Sequence, residues 1–168
     1  VYQELCQNLK ILVIKLSAVG DVLLITPSLK ALREKYPLAK IVCLVGKEAR
    51  QVLQICPYVD ELIIYDPQQK HKRWWKLWKL GKVLRQHNFD KVVDLQNNRR
   101  SHLLGFLSFC PERYGYRNKK WGFLVSHGIK DDQGPMPAVE HQFRILQTMG
   151  VVPREIPELQ MWPSKEDS

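Results

Sequence analysis

Short apolar blocks alternate with longer amphipathic stretches along this chain. Lys10–Leu16 (KILVIKL) and Lys40–Val45 (KIVCLV) are mostly aliphatic without a polar beat, and Glu61–Tyr65 (ELIIY) and Lys91–Leu95 (KVVDL) are shorter versions. Such runs read as strands covered on both faces, the mark of a parallel sheet. Helical patterns fill the gaps. One follows the turn Ser17–Asp21 and runs to Tyr36, with Pro27 separating or kinking its first turn. Others run from Gly46 through about Gln54, from Arg73 to His87, and from Ser101 to Phe109. Strands spaced by helices imply right-handed crossovers and a Rossmann-like, doubly wound, mostly parallel α/β fold. Past Arg113 the pattern weakens. Arg113–Tyr116 and Phe123–Ser126 are expected as short strands, Gln133–Pro137 as a loop, and Val139–Met149 as a last helix closed by Gly150. Residues 151–168, with Pro153, Pro157 and Pro163, read as an extended linker, which leaves one domain over 1–150.

Composition supports a folded chain: 45% of residues are hydrophobic and 26% charged. A bilayer span needs roughly 20 apolar residues, and the longest aliphatic run, Ile41–Val45, is far shorter. The chain begins at Val1 and lacks the basic, apolar and small-residue order of a secretory signal. Cys6, Cys43, Cys56 and Cys110 form no Cys-x-x-Cys pair, so neither a zinc site nor a disulfide framework is expected and a reducing, cytoplasmic setting fits. Cys43 reads as a buried thiol acting as a small hydrophobe. The net charge of +9 favours an anionic partner: nucleic acid, a phosphorylated small molecule or an acidic membrane surface.

Ligands of open parallel sheets bind beyond the carboxyl ends of the strands. Three segments should meet there: Ser17–Asp21, Gly46–Lys47 and Gln96–Ser101. The first is neither a Gly-x-Gly-x-x-Gly fingerprint nor a P-loop. It offers the Ser17 hydroxyl, the flexible Gly20 and the Asp21 carboxylate. Asp21 reads either as a helix-capping acid or as a general base that takes a proton from an attacking hydroxyl. In Asp94-Leu-Gln-Asn-Asn-Arg-Arg-Ser-His102, the side chains of Gln96, Asn97 and Asn98 suit neutral hydroxyls, and Arg99 and Arg100 suit phosphate or carboxylate. The alternative is a solvated turn with a serine cap. Lys15, near the cleft end of its strand, either meets a ligand phosphate or pairs with an acid.

Residues 10–29 (KILVIKLSAVGDVLLITPSL) resemble the opening of the family 9 glycosyltransferases, the heptosyltransferases of the lipopolysaccharide inner core. The likeness continues in order through Tyr58–Ile63, Asp94–Ser101, Arg113–Tyr116 and His141–Leu146. Ala18 and Val19 depart from the family pattern without touching the Gly20-Asp21 pair. The resemblance implies the N-terminal, acceptor-side half of a two-domain GT-B enzyme, with the donor-binding half absent beyond Ser168. It implies an inverting transfer without metal or other cofactor. ADP-heptose would be the donor substrate, a lipid-linked phosphorylated saccharide the acceptor, and Asp21 the catalytic base. Lys15, Ser17, Gly20, Gln96, Asn98, Arg99 and Arg100 would line the acceptor site. His141 matches the family's late helix or is a surface histidine, and Arg113, Tyr116 and Arg117 extend that site or serve structure.

The stretch Lys70–Arg85 (KHKRWWKLWKLGKVLR) is the most unusual. On a helix Leu77, Leu80, Val83 and Leu84 share a face that should pack on the sheet. Trp74, Trp78 and Arg85 fall elsewhere, flanked by Trp75, Lys79 and Lys82. Exposed Trp and Lys suit a membrane interface, which would make the protein peripheral on the inner face of the inner membrane. They equally suit a covered sheet edge or contact with another domain. Two other function classes compete with the transferase: a noncatalytic nucleic-acid-binding module, favoured by the charge, and another Rossmann-type nucleotide-binding enzyme, disfavoured by the missing glycine fingerprint.

Overall fold

The computed structural model describes residues 9–66, 73–117 and 121–162. Cys6, Lys70–Lys72 and the end of the expected linker from Pro163 lie outside them. Six strands form one all-parallel sheet: β1 (Lys10–Lys15), β2 (Lys40–Gly46), β3 (Glu61–Tyr65), β4 (Lys91–Asp94), β5 (Glu112–Tyr116) and β6 (His127–Ile129). Their order, β3-β2-β1-β4-β5-β6, is that of a doubly wound fold, as expected.

The apolar runs divide between two faces by the two-residue period of a strand. Ile11 and Val13 of β1 join Ile41, Cys43 and Val45 of β2 on one side. Leu12 and Ile14 join Val42 and Leu44 on the other. The first side is covered by α1 (Val19–Leu23), α2 (Thr26–Lys35), α3 (Arg50–Leu53, after a 3-10 turn at Lys47–Ala49) and, from the far end of the chain, α6 (Ala138–Thr148). The second is covered by α4 (Arg73–His87) and α5 (Arg99–Leu107). Each fully buried Leu or Ile contributes about 1.5–3 kcal/mol, so neither face of the central strands could be left open. Pro27 sits in the first turn of α2, where a missing N–H costs no helix bond; α1 is therefore a separate helix. Ser28 of α2 donates to Gln142 of α6 at 2.9 Å inside the core, tying the two helices together.

Three local expectations are corrected. Phe123–Ser126 is not a strand: Trp121 adopts a left-handed backbone (φ 68°), Gly122–Leu124 forms a 3-10 turn, and the edge strand follows at His127. Leu124 and Val125 are buried as core rather than paired in a ladder. The helix expected from Ser101 begins at Arg99, because Asn98 caps it. Asn98 Oδ1 accepts from the Arg100 and Ser101 amides at 2.9 and 3.0 Å, and Ser101 Oγ accepts from the Asn98 amide at 3.0 Å. On α4, Leu77 and Leu84 are buried and Leu80 is half-buried, but Val83 is 43% exposed. Gly81 takes the contact instead. A Cβ there would lie 2.8 Å from the Leu107 Cβ, so α4 rolls its 77–81–84 stripe against α5 and turns Val83 outward.

Beyond Gly150, whose φ of 76° ends α6, residues 151–162 carry no helix or strand. They nevertheless lie against the domain. The Gln160 amide donates to Thr26 Oγ1 at 3.1 Å, the Tyr58 hydroxyl donates to Gln160 Oε1 at 2.7 Å, and Trp162 meets the Tyr58 ring edge-on at 5.7 Å.

Candidate functional site

Chains leaving β1 and β4 cross to opposite faces, α1 and α2 on one and α5 on the other. A crevice therefore opens past the carboxyl ends of these two neighbouring strands. One side chain joins the two loops that form it. Gln96 Oε1 accepts from the Ser17 hydroxyl at 2.5 Å and from the Leu16 amide at 3.0 Å. Lys15, the last residue of β1, is half-buried and its ammonium donates to the Leu95 carbonyl at 3.4 Å. Burial pulls its pKa below the ordinary lysine value, although Asp21 and Asp94 oppose the shift. A third strand end closes in as well: a Cβ at Gly46 would stand 3.4 Å from the Leu16 carbonyl oxygen. Lys47, mostly exposed, lies 3.9 Å from Asp66.

The β4 loop is built around a buried carboxylate. Asp94 Oδ1 accepts from the amides of Gln96 and Asn97 at 3.0 and 2.8 Å, while Oδ2 lies 2.6 Å from His102 Nδ1. An ionised carboxylate can only accept, which assigns the proton of this contact to Nδ1. Both residues are buried. Asn97 is held in the left-handed region (φ 53°), and its Oδ1 accepts from the Tyr116 amide at 2.9 Å. Across the loop stands Gly115, where an added Cβ would come within 3.2 Å of that same oxygen. Sequence reasoning gave Asp94 and His102 no role: they are eight residues apart, and no spacing rule marks such a pair.

Asp21 lies in α1, the helix that follows the carboxyl end of β1, and is exposed. The cap position of that helix is Ala18, without a side-chain cap bond, and Asp21 is the acidic residue of its first turn, where a carboxylate also meets the helix dipole favourably. No hydrogen bond or ion pair engages its carboxylate among the described residues, and Lys15 is its charged neighbour. Gly20 beside it is exposed, and a Cβ there would meet nothing within 4 Å. Neither backbone nor packing asks for glycine at that point; the space next to it is open. Arg99 is exposed and Arg100 half-buried, at the first two positions of α5. The helix dipole disfavours a cation there by about 0.3–1 kcal/mol each, so stability does not account for them. Asn98, by contrast, commits its Oδ1 to the cap.

The remaining candidates divide by position. Arg113 is the second residue of β5, toward the amino edge of the sheet, and its Nε donates to the Leu124 carbonyl at 2.7 Å. Tyr116 is buried, donates its hydroxyl to the His141 carbonyl at 2.7 Å and stacks on the His141 ring at 3.9 Å. His141 Nε2 lies 3.6 Å from Asp131. Arg117 follows β5 at the carboxyl edge and donates to the Ser126 carbonyl at 3.5 Å. Trp74, Trp75, Trp78, Lys79 and Lys82 are exposed on α4, outside the crevice. Among the described residues no group of three or more His, Cys, Asp or Glu side chains could hold a metal ion. No helix among them is long and apolar enough to cross a membrane.

Comparison with known proteins bears on the fold. No protein-family model matches the chain. The chain is 28% identical over 163 residues to lipopolysaccharide heptosyltransferase 2 of Escherichia coli K12, which covers 95% of the chain and 47% of that protein. Among solved structures, a glycosyl transferase family 9 protein of Veillonella parvula superposes with a TM-score of 0.79 at 26% identity, over 94% of this chain and 46% of that one. The E. coli ADP-heptose lipopolysaccharide heptosyltransferase II superposes with a TM-score of 0.77 at 25% identity, over 95% and 48%. The chain spans about half the length of the relatives it matches. The six-stranded parallel sheet with helices on both sides is thus the fold of one half of these proteins.

Proposed function

We propose that this chain is the acceptor-binding half of an inverting glycosyltransferase of the heptosyltransferase kind, with Asp21 as its general base. The observation that carries the reading is Asp21 itself: an exposed carboxylate with no hydrogen bond or ion pair among the described residues and with Lys15 as its charged neighbour, following β1 at the strand-order switch of a sheet shared with heptosyltransferases. A carboxylate that is not tied up in a hydrogen bond is available to take a proton.

In the proposed reaction an acceptor sugar hydroxyl gives its proton to Asp21 as its oxygen attacks the anomeric carbon of ADP-heptose. The new carbon–oxygen bond forms as the bond from that carbon to the diphosphate breaks, and the electron pair leaves with ADP. No metal or cofactor takes part in this scheme. Lys15 stands beside the base, and Arg99 and Arg100 meet phosphate on the acceptor, a lipid-linked saccharide of the lipopolysaccharide core. Ser17, Gln96 and the Asn98 turn fix the crevice wall, and Gly20 leaves room for the sugar. Residues after Val151 lead toward the donor-binding half, whose contacts stabilise the departing ADP. A cytoplasmic setting goes with this reading, in keeping with the free, buried thiols of Cys43, Cys56 and Cys110.

The test is a transferase assay on the full-length gene product, with ADP-heptose and heptose-deficient lipopolysaccharide core acceptors. Acceptor-dependent ADP release with a heptosylated product is expected. Absence of release with every core acceptor overturns the proposal, as does turnover by the 168-residue chain alone, which has no donor-side contacts in this scheme.

A further inference from the structure

The layer formed by α4 and α5 carries a surface that the crevice chemistry does not use. On α4, Trp74, Trp75 and Trp78 are 61%, 63% and 52% exposed. They lie at i, i+1 and i+4, on a stripe continued by the exposed Lys79 and Lys82. The patch continues onto neighbouring elements. The Trp74 and Trp121 rings stand 6.3 Å apart, Phe123 on the 3-10 turn is 80% exposed, and Phe109 just past α5 is 66% exposed beneath the Arg85 guanidinium, 3.7 Å from its ring centre. So many exposed large aromatic side chains on one layer mark an interaction site.

Charge indicates the partner. Neither α4 nor α5 contains an Asp or Glu, and the sequence from Pro67 to Phe89 has none. The opposite layer carries Glu34, Glu48 and Glu140. That layer also carries cations such as Lys30, Arg33, Lys35 and Lys47, but of the longer helices only α4 and α5 present their cations with no acid on the same helix, on the side that also presents the aromatic rings. Phe109 and Phe123 have no polar atom to offer, which suits an acyl-chain boundary better than recognition of a polar polymer. Tryptophan, with an apolar body and one N–H, suits the headgroup level.

The geometry points to the α4–α5 face as a docking surface for an anionic phospholipid bilayer, with the tryptophans inserted at the interface and Lys79, Lys82 and Arg85 against lipid phosphates. The surface stands independently of the transferase reading. One consequence rests on that reading: α4 follows β3 and so begins at the carboxyl edge of the sheet, which puts Trp74 and Trp75 at the same edge as Asp21 and would let the crevice receive an acceptor anchored in the docked membrane.

The experiment is co-sedimentation of the 168-residue chain with vesicles of phosphatidylcholine alone or mixed with phosphatidylglycerol, with tryptophan emission as a second readout. Binding and a blue shift are expected only with the anionic vesicles. Each cationic residue at such a surface contributes about fivefold in affinity, so the Lys79→Glu/Lys82→Glu variant should bind at least about 25-fold more weakly. The Trp74→Ser/Trp75→Ser/Trp78→Ser variant should lose at least about tenfold. The proposal is overturned if anionic vesicles do not bind or if both variants bind as well as the parent. It is equally overturned if single-stranded or duplex nucleic acid binds in preference at physiological salt, or if another domain shields these tryptophans from vesicles in the full-length product. In that product both variants should keep full turnover on a delipidated, soluble acceptor. Loss there would assign the residues to the reaction site instead and also overturn the proposal, whereas an inactive parent that still binds vesicles refutes the transferase reading alone.

Discussion

Replacing Asp94 should separate the architecture of the crevice from its surface. Its carboxylate receives two loop amides at 3.0 and 2.8 Å and the His102 Nδ1 proton at 2.6 Å. Asp94→Ala leaves all three donors without that acceptor. A buried donor stripped of its partner costs about 1–3 kcal/mol. The loop amides, near solvent, belong at the low end and the buried imidazole nearer the middle, for a total of about 4 kcal/mol. That is a large share of the roughly 5–15 kcal/mol that holds such a domain together. Asp94→Asn behaves differently. Its Oδ1 still receives both amides, and the imidazole can move its proton to Nε2 and accept from the new amide, so a loss of about 1 kcal/mol is expected. Urea unfolding followed by far-ultraviolet circular dichroism, extrapolated to water, gives both values. The reasoning fails if Asp94→Ala lies within about 1 kcal/mol of the parent, or if the two variants coincide, since either result would mean that the three bonds do not hold the loop.

Two glycines give opposite expectations. Gly20→Ala meets open space in a helix, so thermal unfolding should show equal stability or a gain of up to about 1 kcal/mol; transferase activity of the full-length product should nevertheless fall if the acceptor occupies that space. Gly81→Ala brings the same gain in helix propensity, but its Cβ collides with the Leu107 Cβ at 2.8 Å. Overpacking of about 1–3 kcal/mol should exceed it, giving a melting temperature below that of the parent; a melting temperature equal to or above the parent's would show that α4 and α5 can separate without cost.

The sheet was legible because its strands are buried on both sides: Lys10–Lys15 and Lys40–Gly46 had to read as unbroken apolar runs, and nothing but a parallel sheet between helices covers both faces. The carboxyl-edge loops were legible as well, since topology alone brings the ends of β1 and β4 together. What escaped was decided by single contacts. Asn98 rather than a serine starts α5 because its own amide finds the Ser101 hydroxyl. Val83 faces outward because Gly81 lets two helices close up, an effect of a residue with no side chain that periodicity cannot count. Phe123–Ser126 looked extended until the left-handed Trp121 turned the chain. The Asp94–His102 pair joins a strand end to the inside of a helix and leaves no sequence spacing to recognise.

The most direct measurement is the turnover of Asp21→Asn in the full-length gene product, with ADP-heptose and the preferred core acceptor, beside an unfolding curve of the same variant. Asparagine keeps the shape and cannot take the proton. General-base catalysis is worth about 10²–10⁴-fold, so kcat should fall by at least about a hundredfold with the unfolding midpoint unchanged. Turnover within a few-fold of the parent would contradict the assignment of Asp21 as the base, and with it the claim that this crevice is where the acceptor reacts.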